Sequence, residues 1–134
     1  MIDLTLLRRE TDSVRAMLAR RGVSASQVDE LVAADVRHRE LLAAAEQLRA
    51  QVKDLSRQVG EARKAKDDAR AEALMAQSRE LGDAERAASA DAEDVAAQVR
   101  ALHLMIPNLP AEAAPEGRSE DDNVELRQWW PGME

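Results

Sequence analysis

The chain has 134 residues, with 19 lysines and arginines against 26 aspartates and glutamates, so its formal net charge is −7. It contains 26 alanines and no cysteine, and its only aromatic residues are Trp129 and Trp130. This composition is typical of long helices rather than of a thick globular core, and it excludes disulfides, cysteine nucleophiles and sulfur-ligated zinc sites.

The first part of the chain predicts two short helices. Apolar residues recur at helical spacing through the first 18 residues, and Thr11 is placed to cap the second helix. Gly22 is expected to end this unit. A longer helix should begin directly afterwards. The sequence there has a hydroxyl residue followed three residues later by an acceptor side chain, which is a helix-capping arrangement. Two pairs fit that arrangement: Ser24 with Gln27, or Ser26 with Asp29.

Two strict heptad seams follow, and they are the strongest signal in the sequence. The first seam has spacings of 4 and 3 and consists of Leu41, Ala45, Leu48, Val52, Leu55, Val59 and Ala62. The second consists of Ala71, Leu74, Ser78, Leu81, Glu85, Ala88, Ala92, Val95, Val99, Leu102 and Ile106. Each seam exposes a stripe that needs a partner helix.

The segment EARKAKDDAR between the seams has no apolar residue larger than alanine, so it can turn the chain. We therefore expect an all-α fold, built on a long antiparallel two-helix coiled-coil hairpin with short N-terminal helices. In the register that aligns the seams, Leu55 lies opposite Ser78 and Val52 opposite Leu81. A first long helix of about 40 residues would extend roughly 60 Å.

Prolines end the helical pattern. Pro107, Pro110 and Pro115 forbid continuation of the helix, and the polar composition from residue 111 to 122 is typical of an acidic linker. The last segment alternates like a strand from Val124 to Trp129. An isolated strand is unstable, so we expect this segment to belong to the start of a further domain.

The sequence offers no recognisable catalytic chemistry. It has no glycine-rich phosphate loop, no nucleophile elbow and no cysteine, so no catalytic residue is predicted. His38 and His103 would lie about eight residues out of register, or roughly 12 Å apart along the axis, so no metal site is predicted. No apolar run is long enough to span a membrane, and Asp3 stands where a secretory signal would carry positive charge. A soluble, cytoplasmic protein without a membrane partner is expected.

The two long helices differ in charge. Residues 41–66 carry six basic and three acidic side chains, whereas residues 67–100 carry four basic and nine acidic ones. Two explanations remain open: flanking salt bridges that hold the antiparallel pair in register, or an outward basic strip that meets nucleic-acid phosphates. The candidate phosphate-binding residues are Arg49, Lys53, Arg57, Arg63, Lys64 and Lys66.

The sequence resembles the N-terminal part of a bacterial-type seryl-tRNA synthetase, a serine-tRNA ligase. The resemblance is carried by the opening DLTLLRRETDSVRAMLARRGV, the helical hairpin, the IPNLP of residues 106–110 and the DDNVELRQW near the end. It implies that the hairpin grips the long variable arm and elbow of serine tRNA and positions the tRNA for ATP-dependent serylation. The six basic residues would then be tRNA-binding residues.

The resemblance also implies a domain organisation. Residues 1–110 would form the tRNA-binding domain, with its arm at about 27–106 and its tip at about 63–70. Residues 111–122 would be the linker, and residues 123–134 the beginning of a class II catalytic domain that this chain lacks. ATP with magnesium would belong to that domain, so this chain is expected to hold no cofactor and to be inactive alone.

The parent synthetase is expected to be a homodimer. The isolated chain is expected to self-associate through apolar residues that the missing domain would cover. Two alternatives explain the same seams: a structural coiled-coil scaffold, and a protein-binding paralogue that has lost its catalytic domain. Selective affinity for serine tRNA would separate the synthetase interpretation from both.

Overall fold

The computed structural model describes residues 1–117 and 119–129, and the regular secondary structure in these ranges is helical. Four α-helices and one short 3-10 helix occur in chain order: α1 Leu4–Arg9, α2 Thr11–Ala19, α3 Ala25–Lys64, α4 Asp68–Met105 and the 3-10 helix Glu120–Asp122. The all-α prediction and the long helical hairpin are thus confirmed. The chain divides into two compact units, Met1–Val28 with Ile106–Glu134, and Asp29–Met105.

In the first unit, short polar contacts set the ends of the helices. The Asp3 carboxylate caps α1 by accepting a hydrogen bond from Thr5 N at 2.7 Å. Gly22 ends α2 with a φ of +77°, a left-handed conformation that suits glycine. The predicted Ser24–Gln27 box begins α3, because Ser24 N donates to Gln27 Oε1 at 3.0 Å and Gln27 N donates to Ser24 Oγ at 3.3 Å.

The predicted cap at Thr11 is wrong. Thr11 is already the first helical residue of α2, and its hydroxyl donates back to the Leu7 carbonyl at 2.7 Å. The single residue Glu10 separates α1 from α2, and it occupies the cap position without a side-chain cap bond. The break between the helices is too short to leave Thr11 outside the second helix.

Two arginine side chains directly after α2 hold the segment that follows α4. Arg21 Nη1 donates to the Asn108 carbonyl at 2.7 Å, and Arg20 Nη2 donates to the Ala114 carbonyl. α4 stops at Met105, before the prolines, as predicted. The predicted strand at 124–129 is not formed, because an extended segment without a partner strand has no ladder to join. Residues 130–134, assigned to the same further domain, lie outside the described residues.

In the second unit, the two long helices pack against each other along the predicted seams. Every seam residue from 41 to 102 is buried or half-buried, whereas most of the intervening residues are exposed. Alanine and valine dominate the fully buried positions, so narrow side chains line the contact and allow close helix approach. The buried seam residues of this unit are Ala45, Ala62, Ala71, Ala92, Val95 and Val99.

The polar seam residue Glu85 is paired across the hairpin. Its Oε1 accepts from Arg49 Nη2 at 2.6 Å and from Ser89 Oγ at 3.0 Å. Arg49 first, and Ser89 second, lower the pKa of the Glu85 carboxyl below its ordinary value. The Arg49–Glu85 bridge lies within one residue of the register predicted from the seams. It is therefore a salt bridge between the basic and the acidic helix that supports this register.

Two glycines inside the long helices can be replaced to test the packing. A Cβ at Gly60 would meet nothing within 4 Å, and a Cβ at Gly82 would meet only Arg86 Nη1 at 3.9 Å. We expect Gly60→Ala and Gly82→Ala each to raise the free energy of unfolding by about 0.5–1 kcal/mol, because alanine favours a helix interior. Urea denaturation followed by circular dichroism measures this effect. Gly22→Ala is the control and should destabilise, since its φ is positive.

The Glu85 bridge predicts an acid-dependent loss of stability. Because the folded pKa of Glu85 lies below its unfolded value of about 4.5, the contribution is fully present above that value and disappears as pH falls through the folded pKa. Glu85→Gln should therefore be less stable than wild type at pH 7, and the difference should shrink below pH ~4. A difference that is constant from pH 7 to pH 3 would contradict the role of the charged carboxylate.

Candidate nucleic-acid interface

The six predicted tRNA-binding residues all lie on α3 and the turn that follows it, and all are exposed. They do not form one equivalent set, because their neighbours differ. Two are arginines engaged in ion pairs, one is an arginine that contacts a methionine, and three are lysines. These are, in that order, Arg49 and Arg57, then Arg63, then Lys53, Lys64 and Lys66.

Arg57 is engaged by two carboxylates of its own helix. Its Nη2 lies 2.6 Å from Asp54 Oδ1 and its Nη1 lies 2.9 Å from Glu61 Oε1. Arg57 first, and Gln58 second, hold the pKa of the Asp54 carboxyl below its ordinary value, while Asp54 above all raises the pKa of Arg57. Both terminal nitrogens of this guanidinium already donate to carboxylates, so Arg57 presents little uncompensated positive charge to a phosphate.

The three lysines are differently placed. Lys53, Lys64 and Lys66 form no ion pair with any residue in the described part of the chain. Lys64 is the last residue of α3, and Lys66 lies in the turn before α4. An exposed ammonium without a carboxylate neighbour attracts an anion with its full charge, so these lysines remain available as phosphate ligands.

The turn at the end of the hairpin has a defined backbone. Lys66 has a φ of 58°, and its N–H donates to the Arg63 carbonyl at 3.0 Å while Asp67 N donates to the Ala62 carbonyl at 3.0 Å. This is the Schellman arrangement, in which glycine usually takes the left-handed position. Asp67 Oδ1 then accepts from Arg70 N at 3.1 Å and caps α4. The same three-residue turn therefore closes both helices, and it holds Lys66 at the tip.

One groove near the tip joins the two helices and brings in an arginine that the sequence analysis did not select. Arg63 of α3 and Arg79 of α4 both line it, beside Met75. Arg63 Nη2 lies 3.3 Å from Met75 Sδ. Arg79 was missed because α4 was treated as acidic over its whole length. Arg79 directly follows the seam residue Ser78, and this position could have predicted that it lies on this side of the hairpin.

The described residues were also searched for metal sites and for membrane-spanning helices. Residues 1–117 and 119–129 contain no group of three histidine, aspartate or glutamate side chains arranged to hold a metal ion. Within those same ranges, each helix is too short or too polar to be a candidate for crossing a lipid bilayer.

Comparison with known proteins identifies the family. The family model of the seryl-tRNA synthetase N-terminal domain matches residues 1–110. The crystal structure of seryl-tRNA synthetase from Pyrococcus horikoshii complexed with ATP is similar, with a TM-score of 0.84 and 27% sequence identity. The match covers 96% of this chain and 29% of that synthetase chain, so this chain spans less than a third of its length. The hairpin, its seams and the match over residues 1–110 agree: the chain belongs to the seryl-tRNA synthetase N-terminal domain family.

Proposed function

We propose that this chain is the tRNA-binding arm domain of a seryl-tRNA synthetase and that its hairpin grips the long variable arm and elbow of serine tRNA. The observation that carries the proposal is the family match over residues 1–110. The three lysines of the hairpin, which form no ion pair within the described residues, are available to bind phosphates. A long helical pair with exposed cations can follow a nucleic-acid backbone and recognise its shape without contacting base edges.

The arm would act as a positioning device for a catalytic domain. In the proposed parent enzyme, residues 1–110 hold the tRNA, residues 111–122 link the arm to the catalytic domain, and residues 123–134 begin that domain. ATP-dependent serylation, with ATP and magnesium, would take place in the catalytic domain of that parent enzyme. The related synthetase from Pyrococcus horikoshii is described as complexed with ATP. We further propose that the parent is a cytoplasmic homodimer and that this chain alone does not charge tRNA.

Selective binding tests the proposed function. We expect the chain to bind serine tRNA more tightly than a serine tRNA whose long variable arm has been removed, because the arm would then lack its distinctive partner. Fluorescence anisotropy with both RNAs at one salt concentration measures the ratio. Equal affinity for the intact, truncated and unrelated elongator tRNAs would instead favour a structural or protein-binding coiled coil.

A salt titration tests whether the predicted cations hold phosphates. We expect replacement of Lys53, Arg57, Arg63, Lys64 and Lys66 by glutamine to lower the magnitude of the slope of log affinity against log salt. Each lost phosphate contact should contribute roughly 0.7 to 0.9. Circular dichroism should show unchanged helix content, since these positions lie off the seam. Glu72→Gln is the matched control on α4 and should not weaken binding; an unchanged slope in the fully helical variant would contradict phosphate binding.

A further inference from the structure

We propose that the hairpin binds RNA phosphates with only one of its two flanks, a basic flank to which both long helices contribute, while the opposite flank faces away from the RNA. This inference rests on the proposed function and names the surface that performs it. It adds Arg79 and Arg86 of α4 to the phosphate-binding residues.

The two flanks follow from the position of each residue beside the seam. A helix turns by about 100° per residue, so residues directly after a seam residue and residues directly before one lie on opposite sides. One groove joins Arg49 of α3 to Ser89 of α4, and another joins Arg63 to Arg79. Residues after the seam thus meet on one flank in both helices. The cations of this basic flank outnumber its three acids, Glu46, Glu72 and Glu93. They are Arg49, Lys53, Arg63, Arg79, Arg86 and Arg100.

The opposite flank is acidic. A groove on that side is lined by Asp54 of α3 and Glu80 of α4, together with glutamines of both helices. The residues directly before the seam include no lysine or arginine from 40 to 61 or from 73 to 98. A phosphate backbone laid on this side would meet carboxylates of both helices and be repelled. The acidic flank consists of Glu40, Asp54, Glu61, Glu80, Asp91 and Asp94.

The positive charge of the basic flank is strongest midway along the hairpin. Lys53 and Arg79 form no ion pair within the described part of the chain. Arg86 forms an exposed pair with the single carboxylate of Asp83, and such pairs are weak. Arg57, by contrast, lies between two carboxylates, which give that cluster a net charge of −1. Nearer the tip, Asp68 and Glu72 line the groove with the two arginines and reduce its charge. From Arg49 to Arg63 the flank extends about 21 Å.

Both glycines of the hairpin also lie on the basic flank. Gly60 follows the seam residue Val59, and Gly82 follows Leu81. Glycine weakens a helix interior relative to alanine, and neither position is crowded enough to require it. On a flank where an RNA backbone approaches the helices, the missing side chains leave the arginines and lysines in contact range. The glycines therefore support the choice of flank that the charges make.

A pair of charge-matched variants tests the proposal in the whole chain. The flank variant combines Lys53→Gln, Arg79→Gln and Arg86→Gln. The control variant combines Arg9→Gln, Arg37→Gln and Arg70→Gln, three exposed arginines that lie outside the basic flank and outside the six predicted phosphate-binding residues. Each removes three positive charges, so long-range attraction falls equally. We expect the flank variant to bind serine tRNA about tenfold or more weakly at 0.1 M salt and to lower the salt slope by about 2 to 3. The control should keep the wild-type slope.

A second pair of variants tests close approach without changing charge. Gly60→Gln and Gly82→Gln add bulk to the basic flank, whereas Ala44→Gln and Ala84→Gln add it to the acidic flank. We expect the glycine variants to weaken binding of serine tRNA while keeping full helix content. The alanine variants should bind as wild type does.

The outcomes separate this inference from the proposed function. Binding by wild type together with equal losses in the flank and control variants would overturn the flank assignment and leave the tRNA-binding function intact. A greater loss in the control variant would place the RNA-binding surface outside the basic flank. Failure of wild type to bind serine tRNA would overturn both.

Discussion

The hairpin depends on the burial of one narrow seam by two helices that have few large apolar side chains to offer. Alanines such as Ala45 and Ala92 are buried at the contact, while leucines such as Leu48 and Leu81 are only half-buried. Small side chains bring the helices close, but each contributes little apolar area, so a long contact is needed to stabilise the pair. The hairpin therefore has to be long in order to fold, in addition to any length that its function requires.

The seam also carries information about register. A purely apolar seam of alanines and leucines is tolerant of a slip by one heptad, because similar side chains would meet again. Glu85 is less tolerant: its carboxylate lies at the contact and is satisfied by Arg49 and Ser89. A heptad slip would leave this acid at the contact without its arginine, so the slipped pairing lacks a bond that the native register has. Polar residues in the seam thus exclude wrong pairings.

Much of the fold could be predicted because it follows from periodicity. The spacing of the seams, the turn between them and the Ser24 box are local signals, and the structure has each of them. Thr11 was misassigned because a hydroxyl residue suits both the cap and the first turn, and the length of the break decides between them. The strand after Val124 was predicted from alternation alone, which specifies a pattern of faces but supplies no partner strand.

The candidate site was predicted less completely, for a physical reason. Counting charges along each helix describes α3 as basic and α4 as acidic, but a ligand meets a side of the pair and never one helix alone. Arg57 illustrates the difference: it raises the charge count of α3 although Asp54 and Glu61 engage its guanidinium. Arg79 is the converse, a cation in an acidic helix that lines a groove with Arg63. Position relative to the seam carries this information.

Because the turn at Lys66 and Asp67 closes both helices, the length of the hairpin can change only in steps that keep each side chain on its own flank. Both helices end on backbone and side-chain bonds within three residues, so the turn can be kept as a unit while the helices behind it change. Removing seven residues from each helix would shorten the arm by about 10.5 Å and return every side chain to its own flank. Removing five residues from each helix, for example, would rotate the cations away from their flank. Related arms of different reach should therefore differ by paired insertions and deletions of whole heptads.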